Sequence, residues 1–219
     1  DEAYSFLVNA FLTHKDYSRA IKSMESSGLS SVRLQQAYQE VSYYRAVQLF
    51  NDGHYQKAIL HFDKALVHKH NKTLGALSHF WKAESYDRLN EFEKSITSYQ
   101  KFQKSPAAAS LPEYQSASYH IAYAYFKLWK FTESLKGFEV FVGNTGENDM
   151  RLHDTYVRLG DSNYMLKNYS KAIRTYEKAV ELWGVDADYA AYQVALAYQQ
   201  LGRFDRVVES LLKFEEQYA

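Results

Sequence analysis

The sequence predicts an all-α chain built as a stack of antiparallel helix pairs. Three observations predict it. A short aromatic-centred segment recurs six times along the 219 residues, each copy carries apolar residues at helical spacing, and only 2 prolines and 9 glycines are present to interrupt helices.

The segments begin at Lys15 (KDYSRAI), Gly53 (GHYQKAI), Asn90 (NEFEKSI), Trp129 (WKFTESL), Lys167 (KNYSKAI) and Gly202 (GRFDRVV). Each has a ring at its third place: Tyr17, Tyr55, Phe92, Phe131, Tyr169 and Phe204, at intervals of 38, 37, 39, 38 and 35 residues. Three residues after the ring comes a small side chain (Ala20, Ala58, Ser95, Ser134, Ala172), Val207 excepted. A branched aliphatic follows, and seven after the ring stands Met24, Phe62, Tyr99, Phe138, Tyr176 or Leu211. Nine before the ring is a mostly small residue again: Val8, Ala46, Ala83, Ala122, Gly160 and Ala195. Offsets of three, four and seven share one helix face, so the residues after each ring form a helix with one apolar stripe. The small residue before the ring lets a preceding helix approach closely, and the large one fills the space beside it. One such pair cannot bury its own face, so pairs must stack.

The elements follow in order. The first helices of the pairs are expected at 2–13, 33–51, 74–89, 112–128, 150–166 and 187–201, each ending before a turn carrying Gly, Asn or Lys. The second helices are expected at 17–27, 55–68, 92–104, 131–142, 169–182 and 204–218, each opened by its ring. The units run 1–32, 33–72, 73–111, 112–148, 149–185 and 186–219 as a single array. The last helix shows Val207, Val208, Leu211, Leu212 and Phe214 with nothing after it to cover them, so the chain is expected to be a piece of a longer array.

These spacings resemble the tetratricopeptide repeat, most closely in TYVRLGDSNYMLKNYSKAIRTYEKAV from Thr155 to Val180. The resemblance extends over nearly the whole chain. It implies a right-handed α-solenoid of about six repeats and about twelve helices. Units here are longer than the family's usual 34 residues, and of the closing prolines only Pro106 is near its place. Three second helices carry Phe three residues after the large apolar residue: Phe102, Phe141 and Phe214. That form is similar to tetratricopeptide proteins of the bacterial cell envelope, such as the Tol–Pal coordinator, the outer-membrane assembly lipoprotein and the long Bacteroidetes repeat proteins. It implies a periplasmic or envelope location, with a cytoplasmic one as the alternative.

Composition narrows the function. Lys and Arg number 26 against 26 Asp and Glu, so the net charge is zero and no basic surplus favours nucleic acid. No stretch is apolar enough to span a membrane. Cysteine is absent, which removes thiol catalysis, disulfides and Cys-based zinc sites. No Gly-rich phosphate loop, GxSxG or HExxH occurs, so an enzyme is not expected and no cofactor is implied. His54, His61, His68 and His70 cluster in the second unit, and His61 and His68 are seven apart. Imidazole pairs at that spacing can ligate a metal, but HKHNK from His68 reads better as a solvated helix end, and no metal is expected.

In the resembled family the first helices line a concave groove. The residues twelve, eight, five and four before each ring would then face it. They are Tyr43, Val47, Phe50 and Asn51; Phe80, Glu84, Asp87 and Arg88; Tyr119, Tyr123, Phe126 and Lys127; Val157, Asp161, Tyr164 and Met165; Tyr192, Leu196, Gln199 and Gln200. Those expected to hold a protein or peptide are Tyr43, Phe50, Phe80, Arg88, Tyr119, Tyr123, Phe126, Lys127, Tyr164 and Tyr192. Rings bury much area at little entropic cost, as a peptide groove requires, although several of them could equally pack on neighbouring linkers. The family's carboxylate clamp is not matched, since Ser5 stands at its Lys place and Tyr44 at an Asn place, beside a retained Asn9. The reading is a non-catalytic interaction scaffold, with homo-oligomers compatible. The alternatives are a recruiting domain of a larger enzyme or a glycan-binding surface.

Overall fold

The computed structural model describes residue 13, residues 16–146 and residues 149–218. Among these it contains eleven α-helices and no strand: α1 (Tyr17–Ser26), α2 (Val32–Asn51), α3 (Tyr55–Val67), α4 (Lys72–Arg88), α5 (Phe92–Gln103), α6 (Glu113–Lys127), α7 (Phe131–Asn144), α8 (Arg151–Met165), α9 (Tyr169–Glu181), α10 (Ala187–Gln200) and α11 (Phe204–Tyr218). All of the helix expected at 2–13 except residue 13 lies outside the described residues, as do Ser5, Val8 and Asn9. A single 3-10 turn, Ala108–Ser110, interrupts the linker before α6. The chain divides into two compact units, Asp1–Ala117 and Ser118–Ala219.

In the first unit each helix from α1 to α5 packs on the next, and α2 also packs on α4. In the second, α7 to α11 pack in sequence, and α8 also packs on α10. Within each unit a first helix therefore touches the first helix of the following pair, α2 with α4 and α8 with α10.

The same turn ends the first helix of every described pair. Gly53, Asn90, Trp129, Lys167 and Gly202 all have positive φ, between 58° and 76°. The residue after each donates its N–H to the carbonyl five back: His54 to Leu49, Glu91 to Tyr86, Lys130 to Tyr125, Asn168 to Asn163 and Arg203 to Tyr198, at 2.8–3.0 Å. This is the Schellman closure, which satisfies the last carbonyls and reverses the chain. The aromatic that marks each repeat opens the second helix two residues later. N-caps support the starts of α2 and α4, where Ser31 Oγ accepts from the Leu34 N–H at 3.2 Å and Asn71 Oδ1 from the Leu74 N–H at 3.0 Å.

The core is the stripe expected from the spacing. Met24, Phe62, Tyr99, Phe138 and Tyr176, each seven after its ring, are all buried, as are the small residues after those rings and, before the rings, Ala46, Ala83, Ala122 and Gly160. Small and large residues interlock closely. A Cβ on Gly137 would stand 2.7 Å from the Ala122 Cβ, and one on Gly160 would enter the Tyr176 ring. Each large buried side chain contributes roughly 2–3 kcal/mol of burial. The last pair departs, because α11 has no buried residue and leaves Phe204, Val208, Leu211 and Leu212 exposed.

Candidate functional site

The second unit contains an open cavity of about 500 Å³ whose walls come mostly from first helices. Phe126 and Lys127 reach it from the end of α6, and Arg158, Asp161, Tyr164 and Met165 from α8. Tyr189 and Gln193 of α10 close the far side, Tyr176 of α9 lies at the back, and Trp129 and Phe131 form the rim. Residues at intervals of three and four along α8 share one face, which is why four of them meet here.

Rings dominate the geometry. Along α6, Tyr119 and Tyr123 stack at 6.0 Å, and Tyr123 continues to Phe126 at 6.4 Å. Phe126 meets Phe131 edge-on at 5.6 Å, and Phe131 meets Trp129 edge-on at 5.9 Å. Edge-to-face packing of this kind is the favoured geometry of aromatic quadrupoles. The contact between the ring five before and the turn ring recurs as Phe50–Tyr55 and Tyr164–Tyr169, both at 5.3 Å. The groove ring is thus braced by its own hairpin. Trp129 is 73% exposed and held in the left-handed region, features it shares with Trp183 outside the cavity, which is 63% exposed.

The polar part is a closed network. Asp161 Oδ1 accepts from Tyr176 Oη at 2.8 Å and from Tyr189 Oη at 2.9 Å, while Oδ2 accepts from Arg158 Nη1 at 3.0 Å. Arg158 also donates from Nε to Asp154 at 3.1 Å, and its guanidinium lies 5.6 Å from the Phe126 ring centre. Burial, followed by the charge of Asp161, raises the phenols of Tyr176 and Tyr189, so both stay protonated as donors. Lys127 is exposed, with its ammonium 5.1 Å from the Tyr123 ring centre. The site offers a cage of rings, a fixed guanidinium–carboxylate cluster and one exposed ammonium. That arrangement suits recognition of an apolar or aromatic side chain flanked by polar groups.

The expected groove residues divide. Phe126, Lys127 and Tyr164, with Asp161 and Met165, line this cavity. Tyr119 is half-buried instead, donating to Asp154 Oδ2 at 2.6 Å and packing on Phe138 and Phe141. Burial is the main reason its phenol is raised. Tyr43 and Phe80 are 8% and 5% exposed, and Val157 is buried, so the structure corrects their placement from groove to core. The reason is geometric: Tyr43, Phe80 and Val157 each precede the small residue Ala46, Ala83 or Gly160 by three and share its buried stripe. Phe50 is half-buried between Tyr55 and Trp81, whereas Arg88 and Tyr192 are exposed.

Two carboxylates expected in the groove serve the core. Tyr99 donates to Glu84 as Tyr176 does to Asp161. The sequence carries the signal: Tyr seven after the ring comes with an acid eight before it in these pairs, whereas Phe62 and Phe138 come with Val47 and Tyr123. The histidines are also placed. His68 follows the end of α3 rather than sharing a face with His61, and rests edge-on against Tyr38 at 6.0 Å. Among the described residues no group of three or more His, Asp or Glu is arranged to hold a metal ion. None of their helices is long and apolar enough to cross a membrane.

The fold defines a class, a stack of antiparallel helix pairs with a ring-lined cavity between first helices. Family models described as tetratricopeptide repeat match residues 78–106 and 153–182. These two segments of the chain are tetratricopeptide repeats, an architecture that supports a protein-interaction scaffold. A comparison with curated proteins finds no match. Among solved structures, a crystal structure of MamA protein shares 20% identity, covers 82% of this chain and 91% of its own, and has a TM-score of 0.68. MamA from Desulfovibrio magneticus RS-1 is 16% identical, with coverage of 83% and 98% and a TM-score of 0.66. BtubC from P. vanneervenii is 17% identical, with coverage of 99% and 91% and a TM-score of 0.60. At these identities the likeness is one of fold.

Proposed function

We propose that the chain holds a peptide segment of a partner protein in the aromatic cavity of the second unit. One observation carries the reading: Trp129 stays exposed in a backbone conformation that disfavours it, at the rim of a ring-lined cavity. Exposed rings beside a preformed cavity give much contact area for little lost freedom, as an anchor site needs. The partner's anchor is a large apolar or aromatic side chain, entering between Phe126, Trp129 and Tyr164. Lys127 reads a carboxylate beside it.

Replacing Tyr119, Tyr123 and Phe126 together would test folding as much as binding, since Tyr119 is tied into the core. Trp129→Ala with Lys127→Ala leaves the core untouched. With a captured partner peptide in hand, the double variant should keep its helical circular dichroism and bind at least about tenfold more weakly, a loss of roughly 1.4 kcal/mol. Equal binding by the folded variant would refute the site.

An envelope location is part of the same proposal. It is supported by the resemblance carried by Phe102, Phe141 and Phe214. Fractionation of cells producing the native protein checks it, and recovery with the cytoplasm would remove it.

A further inference from the structure

The loop between α3 and α4 is built rather than loose. Gln39, 1% exposed, donates from Nε2 to the Asn71 carbonyl at 3.0 Å and accepts the Asn71 N–H at 2.8 Å. His70 Nε2 lies 3.1 Å from Gln35 Oε1, and the rings of His68 and His70 stack at 6.1 Å. The loop borders a cavity of about 520 Å³ in the first unit and brings Lys69 to it, and Lys72, the first residue of α4, stands beside it. Lys101 and Lys104, from the end of α5, stand on the other side, with His79 of α4 also in the lining. No Asp or Glu lines the cavity. Among the described residues, none of the four lysines makes a salt bridge, whereas nearby Lys64, Lys82 and Lys94 do. In a chain of balanced charge, four unpaired ammonium groups around one concavity make a local positive field.

We propose that this cavity is a second binding site, which takes an acidic peptide segment of a partner protein. The carboxylates meet the four ammonium groups, and an apolar side chain packs on Leu66, Ala76 and Pro106 of the lining. The chemistry favours a peptide over a phosphate group. No arginine lines the cavity to grip paired oxygens, the lysines come from two separate segments of the chain, and Leu66, Ala76 and Pro106 add apolar surface to the lining. Separate carboxylates carried on a chain with apolar side chains match that layout. The site shares no residue with the aromatic cavity and goes beyond the reading given for it.

The test is fluorescence anisotropy on the full chain with a labelled peptide of glutamate pairs separated by single leucines. The same peptide with glutamines is the control, and inorganic pyrophosphate is a third arm. The acidic peptide should bind and weaken as salt rises. Lys101→Gln with Lys104→Gln should weaken it about tenfold. Gly75→Phe should abolish binding by filling the cavity, since a Cβ there meets only Gln39 Nε2, at 4.0 Å. Trp129→Ala should bind it as the unaltered chain does, which separates this site from the aromatic one. His79 faces Lys101 of α5, Lys82 of its own helix and Asp63 of α3. Bound carboxylates should therefore raise its titration midpoint in an NMR titration. Equal binding of the glutamine peptide, binding of pyrophosphate alone, no binding of the acidic peptide, or undiminished binding by the folded lysine variant would each overturn the proposal.

Discussion

Trp129 and Gly160 show how single positions set stability against use. Trp129 occupies a left-handed position that Gly53 and Gly202 fill in other pairs. Trp129→Gly should stabilise the chain by about 0.5–1 kcal/mol in urea denaturation by relieving that conformation, while weakening partner binding. Gly160→Ala should act oppositely on stability, lowering it by about 1–3 kcal/mol because the new methyl meets the Tyr176 ring. Two histidines set an acid limit. Burial pushes both His61 and His79 down to about 4, helped by neighbouring lysines. Their protonated forms are favoured only in the unfolded chain between about pH 6.5 and 4, so stability should fall as pH drops through that window and level below it. Urea midpoints across the window measure this, and His79→Gln should flatten part of the slope. Glu25, lowered by Lys64 and Tyr38, adds its own loss as pH falls further, below the usual range of a glutamate.

At the scale of elements, most of the architecture was legible because two signals coincide. The ring at the start of each second helix and the small residue nine before it fix both the turn and the register. Helix ends therefore agree closely with the spacing, as in α8 and α9, expected at 150–166 and 169–182. What escaped is equally physical. The 3-10 turn at Ala108–Ser110 has no periodic pattern to announce it, and α7 runs on to Asn144 where 142 was expected. Tyr43 and Phe80 looked like groove rings because aromatics suit either environment, and only their interval to Ala46 and Ala83 marks them as core. α11 follows the repeat in sequence but buries nothing, being covered on one side only. Its amides should exchange fastest among the described helices, and those of α3 and α9 among the slowest, in native-state hydrogen exchange. Uniform protection across α9 and α11 would contradict that ranking.

The neutral overall charge is accompanied, in each unit, by a cavity of distinct chemistry: a basic one in the first unit and an aromatic one with a fixed ion cluster in the second. Fold alone does not name a partner. The candidate site was partly legible in the sequence. Phe126, Lys127 and Tyr164 were found from their places before the turn ring. Trp129 is not marked in this way, because in the sequence it is only the first letter of a repeat segment, and its exposure is a property of the folded turn. Peptide display selection on the full chain, followed by calorimetry of the enriched peptide, tests the central claim most directly. The account predicts enriched peptides that share a large apolar or aromatic residue and bind Trp129→Ala at least about tenfold more weakly. Peptides with no such residue in common, or equal heats of binding for the two chains, would contradict it.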